Sequence, residues 1–263
     1  MRTYCNLKST IRYALAILVV SHLSLLTVSA QSEGGLLLGA EADKKINKQL
    51  SISLEAELRT RNNFKTMDRW AVGLGMQYKL TNWLKADAGY KLLNTNFRED
   101  IDLKNSGAYN HWRPYHWRPS YWGVKHRFYA SLAGSYKFSN NIKLELRERW
   151  QYTYRPEKTV ERWDFDDEAW ENKVRTGKGE NQLRSRFEVS YDRKRALFTP
   201  FASIELYNSW GIEKIRYNIG TDLRLSKQHN LSIYYRYQNM KHVDADDYDP
   251  DMHYLGASYK FKF

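Results

Sequence analysis

Apolar and polar residues alternate one for one along most of this chain, and this alternation limits the folds open to it more than any other feature. From Leu50 to Leu58 every second residue is apolar, and the residues between them are Ser or Glu. Side chains of a β-strand point alternately to two faces, whereas a helix repeats its apolar positions at spacings of three and four. Residues 50–61 are therefore predicted to form a strand with one apolar and one charged face.

The alternation recurs in further segments, each of which predicts a strand. The predicted strands are residues 36–44, 50–61, 69–79, 84–92, 127–137, 142–149, 183–189, 196–208, 215–225, 231–238 and 255–263. Segment 196–208 follows the pattern less clearly, because Pro200 and Phe201 blur its phase. Glu148 lies on the apolar parity of its segment, which predicts a β-bulge there.

The polar faces of these strands carry charges of both signs, strand after strand. A soluble β-sandwich also alternates, but its polar face meets bulk water and has no need for paired charges. Recurring Arg and Glu favour a closed barrel, in which the polar face lines a lumen and opposite charges pair. The predicted lumen charges are Glu55, Glu57, Arg59, Arg69, Asp87, Arg127, Glu145, Arg147, Arg149, Arg184, Arg186, Glu188, Arg216, Asp222, Arg224 and Arg236.

Short and long connections alternate between the predicted strands. The short ones are residues 81–83, 139–141, 192–195 and 226–230, and outer-membrane barrels alternate periplasmic turns with extracellular loops in this way. We therefore predict an all-β fold, a transmembrane, antiparallel, up-and-down β-barrel of about 10–12 strands with short periplasmic turns and long extracellular loops. Bacterial single-chain barrels have an even number of strands, so the count of eleven predicts either a strand hidden in a long loop or irregular closure by the first segment.

The N-terminus has the pattern of a secretory signal peptide. Arg2, Lys8 and Arg12 precede an apolar run, residues 13–26, which ends on small residues up to Ala30. The run is shorter than the roughly 20 residues of a membrane-spanning helix, so an uncleaved anchor is the less favoured alternative. We expect residues 1–30 to be removed and residues 31–263 to form the barrel, which would then contain no cysteine.

The chain is strongly basic, with a formal net charge of +12. A basic chain often binds nucleic acid, but export makes anionic lipid and the phosphates of lipopolysaccharide the expected partners instead. Tyr259, Phe261 and Phe263 place aromatic residues at alternate positions up to the C-terminus. Such an ending resembles the signal read by the barrel-assembly machinery, so that machinery is a further expected partner. No nucleic-acid partner and no cofactor is expected.

A five-residue phrase, His-Trp-Arg-Pro followed by Tyr or Ser, occurs twice in the predicted long loop before residue 121. Its Pro residues favour an extended chain. One interpretation is an aromatic belt at the membrane interface with loop packing. The other is a binding surface on which Trp rings stack on sugars and Arg guanidinium groups bind the phosphates of lipid A. The candidate binding residues are Trp112, Arg113, Trp117, Arg118, Tyr121 and Trp122.

Catalysis has weaker support in the sequence. Neither G-x-S-x-G nor H-E-x-x-H occurs. The best candidate for a rim active site is an acidic loop, residues 244–251, with His242 and His253. The same loop loosely resembles a calcium-binding loop, but it lacks the glycine and the terminal Glu that such a loop requires. His126 with Arg127 predicts a buried structural pair at the rim. No catalytic or metal-binding residue is assigned, and a lipid- or surface-directed hydrolase remains the alternative to a structural barrel or narrow anion-preferring channel.

Several short segments along the whole predicted barrel together resemble those of a known family. They are "LSISLEAELRTRNN", "MDRWAVGLGMQYKLTNWLKADAGYKLL", "SYWGVKHRF", "KLELRERWQYTY", "ENQLRSRFEVSY" and "TPFASIELYN". Together they resemble the domain-of-unknown-function 2490 family of predicted Gram-negative outer-membrane barrels. This resemblance implies a barrel in the outer membrane. It implies no activity and no catalytic residues.

Overall fold

A computed structural model of the chain describes residues 32–105, 112–194, 196–241 and 250–263. The predicted signal peptide lies outside these ranges, as do His111, His242 and Asp244 to Asp249. No helix in the described ranges is long and apolar enough to cross a membrane. The strands are β1 (Ser32–Lys45), β2 (Leu50–Arg61), β3 (Thr66–Lys79), β4 (Leu84–Phe97), β5 (Asp100–Asn105), β6 (Trp112–Arg118), β7 (Tyr121–Lys137), β8 (Ile142–Arg155), β9 (Lys158–Asp164), β10 (Ala169–Arg175), β11 (Lys178–Tyr191), β12 (Phe198–Asn208), β13 (Ile212–Arg224), β14 (His229–Met240) and β15 (Asp251–Lys262).

Eleven of these strands form a closed barrel in the order β1-β15-β14-β13-β12-β11-β8-β7-β4-β3-β2. Every neighbouring pair in this order except β1 and β15 is antiparallel. Barrel strands that follow one another along the chain are therefore neighbours in the sheet. The predicted up-and-down transmembrane barrel is therefore confirmed. A closed barrel satisfies every ladder hydrogen bond within itself, which is what the interior of a lipid bilayer demands of a β-structure.

The barrel closes at a parallel seam between β1 and β15. The Phe263 N–H donates to the Asp43 carbonyl oxygen at 2.9 Å, Gly39 lies against Ser258, and Lys260 Nζ reaches Glu41 Oε1 at 2.6 Å. Contacts therefore advance in the same direction along both strands. With eleven strands the first and last must run in the same direction, and a parallel pair closes the ladder as well. Of the two alternatives for the count of eleven, irregular closure by the first strand is therefore the one that the structure shows.

Apolar side chains cover the outside of the barrel and charged ones fill the inside. The outward Leu54 and Ile219 are 61% and 63% exposed, whereas the inward Arg59 and Glu205 are 5% and 1% exposed. This arrangement is the reverse of a soluble protein and suits a barrel whose outer face meets hydrocarbon. Aromatic residues such as Trp83, Phe138 and Phe198 are exposed beside the short turns, where membrane barrels carry an interfacial girdle.

The bulge predicted at Glu148 is absent. Leu132, Glu148 and Ser185 are aligned across β7, β8 and β11 without a register shift. The Glu148 carboxylate instead points outward among apolar side chains, and Ser185 Oγ donates a hydrogen bond to it at 2.6 Å. A local hydroxyl partner thus makes an outward carboxylate compatible with a regular strand.

A second, four-stranded sheet extends four barrel strands beyond the rim. Its order, β10-β9-β6-β5, matches the order β11-β8-β7-β4 of the barrel strands that its members continue. The segment that was predicted to be a loop with the repeated phrase is therefore strand β6. Short breaks of two residues separate the two sheets at residues 98–99, 119–120, 156–157 and 176–177. The long connections of this half of the barrel are ordered into an outer sheet, which the sequence did not predict.

Candidate functional site

The interior of the barrel contains a cavity of about 260 Å³ whose wall is strongly basic. Inward positions on all eleven barrel strands line it, since each strand turns every second side chain toward the lumen. Nine basic and three acidic side chains line the cavity, so its wall is net positive. They are Arg59, Arg69, Lys91, Arg127, Arg149, Arg184, Lys214, Arg216 and Arg236, with Glu41, Glu55 and Glu57.

A second cavity, of about 340 Å³, lies next to the first on the side of the long connections. The two share Arg59, Arg69, Arg127 and Arg216 in their walls. The basic surface is therefore continuous from the middle of the barrel toward the outer rim. Asn96 and Met240, near the outer ends of β4 and β14, mark the upper limit of the second cavity.

Two inward carboxylates, the half-buried Glu57 and the buried Glu205, hold part of this basic surface together. Glu57 accepts hydrogen bonds from Arg59 at 3.0 Å and from Arg69 at 2.6 Å. Glu205 accepts one from Arg184 at 2.6 Å and another from the Tyr207 hydroxyl at 3.2 Å. Each carboxylate serves more than one donor, which is the arrangement that lets a charge remain stable when it is removed from water.

Three inward arginines are bonded to neutral groups instead. Arg127 donates to Thr153 Oγ1 at 3.0 Å, Arg216 to Gln238 Oε1 at 2.8 Å and Arg236 to Asn218 Oδ1 at 2.6 Å. Among the described residues none of the three forms a salt bridge. Glu205 interacts electrostatically with Arg216 and Arg236 without forming an ion pair with either, so the charges of the three arginines are at most partly offset and contribute a positive potential to the lumen.

Like charges also face each other directly across neighbouring strands. Arg59 is opposite Arg69, Arg149 is opposite Arg184, and Lys91 is opposite Arg127. Such cross-strand pairs destabilise a sheet. Cation–π contacts with tyrosine rings offset some of this repulsion, since the Arg149 guanidinium carbon lies 4.2 Å from the Tyr129 ring centre. An anion in the cavity would offset the rest of the repulsion.

The structure separates the sixteen predicted lumen charges into two groups. Nine of them line the central cavity, as given above. The others lie nearer the short turns and pair mainly with each other or with neighbours. Arg149 connects the two groups through Asp87, at 2.8 Å. The second group consists of Asp87, Glu145, Arg147, Arg186 and Glu188, with Asp222 and Arg224 exposed near the end of β13.

Sequence reasoning missed Glu205 and Tyr207, which lie at the centre of the buried network. Both are on β12, the segment whose phase Pro200 and Phe201 obscured. The run from Ser203 to Tyr207 does alternate, with Ile204 and Leu206 facing outward, and reading it alone would have identified both inward side chains. Gln151 and Asn218 were passed over because they carry no charge.

The six candidate binding residues of the outer loop do not converge on one site. Trp117 packs on Trp170 with ring centres 5.7 Å apart. Arg113 forms a salt bridge with Asp166 at 2.5 Å, and Arg118 forms one with Asp100 at 3.2 Å. Trp112 is exposed on β6, and Tyr121 and Trp122 begin β7 beside the rim. Carboxylates neutralise both arginines, and the Arg118 guanidinium also lies 5.6 Å from the Tyr121 ring centre. Binding of sugars or lipid A phosphates by these residues stays a prediction.

The histidines considered for a rim active site face away from the lumen where they are described. His126 Nδ1 is 2.8 Å from the Tyr90 hydroxyl, and His253 Nδ1 is 2.5 Å from the Tyr235 hydroxyl. The predicted pair of His126 with Arg127 is wrong, because successive residues of a strand point to opposite faces. The described residues around these two histidines therefore give no support to a hydrolase.

Solved membrane barrels resemble the chain only distantly. The β-domain of the Bordetella autotransporter BrkA matches with 14% identity and a TM-score of 0.46, covering 83% of this chain and 86% of that one. The translocator domain of the autotransporter NalP from Neisseria meningitidis matches with 10% identity and a TM-score of 0.41, over 74% and 70%. The CymD monoaromatic hydrocarbon channel matches with 11% identity and a TM-score of 0.38, over 75% and 66%.

These TM-scores are low, so the assignment of the fold depends on the strand pairing and the side-chain pattern described above. No curated protein matches the chain in sequence. The family model described as "Protein of unknown function (DUF2490)" matches residues 34–249. That range extends from the start of β1 to beyond β14, so it includes nearly the whole barrel. The resemblance noted in the strand phrases is confirmed, and the chain belongs to the DUF2490 family.

Proposed function

We propose that the chain forms a narrow, anion-preferring channel in the outer membrane. The observation that carries this proposal is the wall of the central cavity, where nine basic side chains face three acidic ones. A ring of fixed charge in a pore raises the local concentration of the opposite ion and excludes the like ion. Small anions are therefore the solutes that this lumen favours.

The dimensions of the lumen limit the size of such a solute. Eight-stranded barrels are filled by their side chains and sixteen-stranded barrels leave an open channel, so eleven strands with long Arg, Lys and Tyr side chains leave little free space. The cavities of about 260 and 340 Å³ suit small inorganic anions or small carboxylates and phosphates. A general porin activity is not part of the proposal.

The outer-membrane location belongs to the same proposal. The closed barrel with its exposed apolar band supports it. The predicted alternation of short and long connections holds only in part, because residues 62–65 and 209–211 form short connections at the end where the long ones lie. In this proposal the N-terminal signal directs export, and the barrel-assembly machinery recognises the aromatic strand that ends at Phe263. Lipid and lipopolysaccharide surround the barrel. Fractionation of a Gram-negative host, with a gel comparing unheated and boiled samples, tests whether a folded barrel reaches that membrane.

Conductance in a planar bilayer under a KCl gradient tests the channel. We expect small conductance steps with a reversal potential that shows chloride to be more permeant than potassium. Replacing Arg127, Arg216 or Arg236 singly by Gln should reduce the chloride preference. The matched control is Lys194→Gln, since Lys194 is exposed in a short turn outside the lumen. Preference for potassium, absence of conductance, or an equal effect of the control contradicts the proposal.

A further inference from the structure

The outer sheet carries a group of metal-ligating side chains on one face. His116 on β6 is directly opposite Asp164 on β9, and Glu171 on β10 is opposite Arg162, two residues from Asp164. Because side chains two apart along a strand share a face, His116, Asp164 and Glu171 point to the same side. Trp117, Trp163 and Trp170 occupy the other side of the sheet.

The ligand atoms of this group are spaced as the ligands of one small cation would be. His116 Nε2 is 3.2 Å from Asp164 Oδ2 and 3.4 Å from Glu171 Oε1, and all three atoms lie within 4.8 Å of one another. Tetrahedral ligands about 2.0–2.1 Å from a zinc ion lie about 3.3 Å from each other. Only a small adjustment of the Glu171 side chain would complete this arrangement.

A buried nitrogen of His116 is a second, independent observation that points to a ligand at this group. Its side chain is only 6% exposed, and its Nε2 is a buried nitrogen without a hydrogen bond among the described residues, although two carboxylate oxygens face it. Leaving a buried polar atom unsatisfied costs about 1–3 kcal/mol. A cation between the nitrogen and the two oxygens would satisfy all three.

The surroundings orient the ligands. The other ring nitrogen of His116, Nδ1, is 3.5 Å from Asp102 Oδ2 on β5, the position in which a carboxylate orients a metal-bound imidazole. Asp164 Oδ1 accepts the backbone N–H groups of Asp166 at 2.7 Å and of Asp167 at 3.1 Å. These bonds fix the carboxylate and leave Oδ2 directed at His116.

Arg162 competes with a metal ion for the Glu171 carboxylate, because its Nε donates a hydrogen bond to Glu171 Oε1. Its Nη1 is also 4.0 Å from Asp102 Oδ2. Asp102 therefore offers the guanidinium a second carboxylate if Glu171 turns to a metal. Loss of the Arg162 charge would make the same site more favourable for a divalent ion.

We propose that His116 Nε2, Asp164 Oδ2 and Glu171 Oε1 bind a divalent transition-metal cation, with Zn²⁺ the best fit. An imidazole with two carboxylates is a donor set for zinc, whereas Ca²⁺ and Mg²⁺ take oxygen ligands alone. Water would provide the fourth ligand. The sequence alone does not predict this metal site, because the three ligands come from three strands without a recognisable spacing.

The position of the site gives the metal a structural role. Strands β6 and β9 are joined by only two residue pairs, His116 with Asp164 and Trp117 with Trp163. This junction connects the β5–β6 hairpin to the β9–β10 hairpin and is the shortest pairing in the outer sheet. A cation held by β6, β9 and β10 crosses it and locks the two hairpins together.

Calorimetric titration of the detergent-folded protein with ZnCl₂ tests the site. We expect one Zn²⁺ to bind per chain, with CaCl₂ binding far more weakly. Mutation of groups that merely orient a metal ligand costs about 10–100-fold in affinity, so His116→Ala and Glu171→Gln should each lower the zinc affinity at least that much. Arg162→Gln should raise it severalfold, because the competing charge is gone.

His229→Ala is the matched control, because His229 lies on β14 near a short turn and takes no part in the outer sheet. It should bind zinc as the wild type does. Hydrogen exchange gives a second readout, in which Zn²⁺ should protect residues 112–118 and 158–175 and leave the barrel unchanged. A gel comparing unheated and boiled samples shows that each variant keeps its barrel. Equal zinc affinity in the wild type, His116→Ala and Glu171→Gln, or unchanged exchange in the outer sheet, overturns the proposal.

Discussion

Phe263 donates its backbone N–H to the carbonyl oxygen of Asp43 at 2.9 Å, and this bond joins the last strand of the barrel to the first. Both strands run toward the short-turn side at this point. The seam is therefore parallel, and every other junction for which residue pairs are known is antiparallel. An odd number of strands is possible for this reason.

A disulfide across the seam tests its register. The Cβ of a residue at position 39 would lie 3.4 Å from the Ser258 Cβ, close to the about 3.5–4.5 Å of disulfides. We expect Gly39→Cys with Ser258→Cys to cross-link, and so should Glu41→Cys with Lys260→Cys, as read from gel mobility without reductant. In an antiparallel seam position 41 would instead meet position 256. Cross-linking of Glu41→Cys with Gly256→Cys would therefore refute the parallel seam.

The alternation of residues predicted the barrel and its inward charges, because a period of two is a local property that each strand carries in its own sequence. Three features were not predictable in this way. Closure between β1 and β15 depends on residues more than two hundred positions apart, such as Glu41 and Lys260. The outer sheet depends on pairing between β6 and β9, which only two residue pairs join. The buried role of Glu205 was hidden by the irregular start of β12.

The Glu205 carboxylate should be a main contributor to the stability of the barrel. Glu205 is 1% exposed and pairs with Arg184, with Arg186 at 3.9 Å. Glu205→Gln leaves these arginines without their buried counter-charge, and removing one partner of a buried pair costs about 3–5 kcal/mol. Urea unfolding in lipid vesicles measures this loss.

A matched control for this substitution is Glu180→Gln, which breaks the exposed pair with Lys178. Exposed pairs contribute about 0–1 kcal/mol, so this variant should unfold nearly as the wild type does. Equal, small effects of both substitutions would mean that the Glu205 network does not stabilise the barrel.

Glu148 should lower the stability of the barrel, because its carboxylate points outward between apolar neighbours such as Leu132 and Trp150. Charged groups on the lipid face of a barrel are unfavourable, by about 2–4 kcal/mol for Arg or Lys at the bilayer midplane and by less for Glu. The double variant Glu148→Leu with Ser185→Ala removes the carboxylate together with its hydroxyl donor. We expect its free energy of unfolding in vesicles to rise by about 1–2 kcal/mol. A decrease would show that the carboxylate is stabilising where it stands.

The outer sheet should loosen in acid before the barrel does. Desolvation raises the pKa of Asp166, but Arg113 and Lys104, which bond to its carboxylate, lower it more, so the pKa lies below the usual value. A carboxyl whose pKa is depressed in the folded state stabilises that state above the unfolded pKa, about 4, and loses this contribution as the pH falls through the folded pKa. We therefore expect the protection of residues 100–105 and 112–118, taken as the exchange rate relative to that of an unfolded chain at the same pH, to be constant near neutral pH and to fall below about pH 4, while the barrel stays protected. Asp166→Asn should show part of this loss of protection already at pH 7, and equal protection of these residues at pH 7 and pH 3 in the wild type would contradict the prediction.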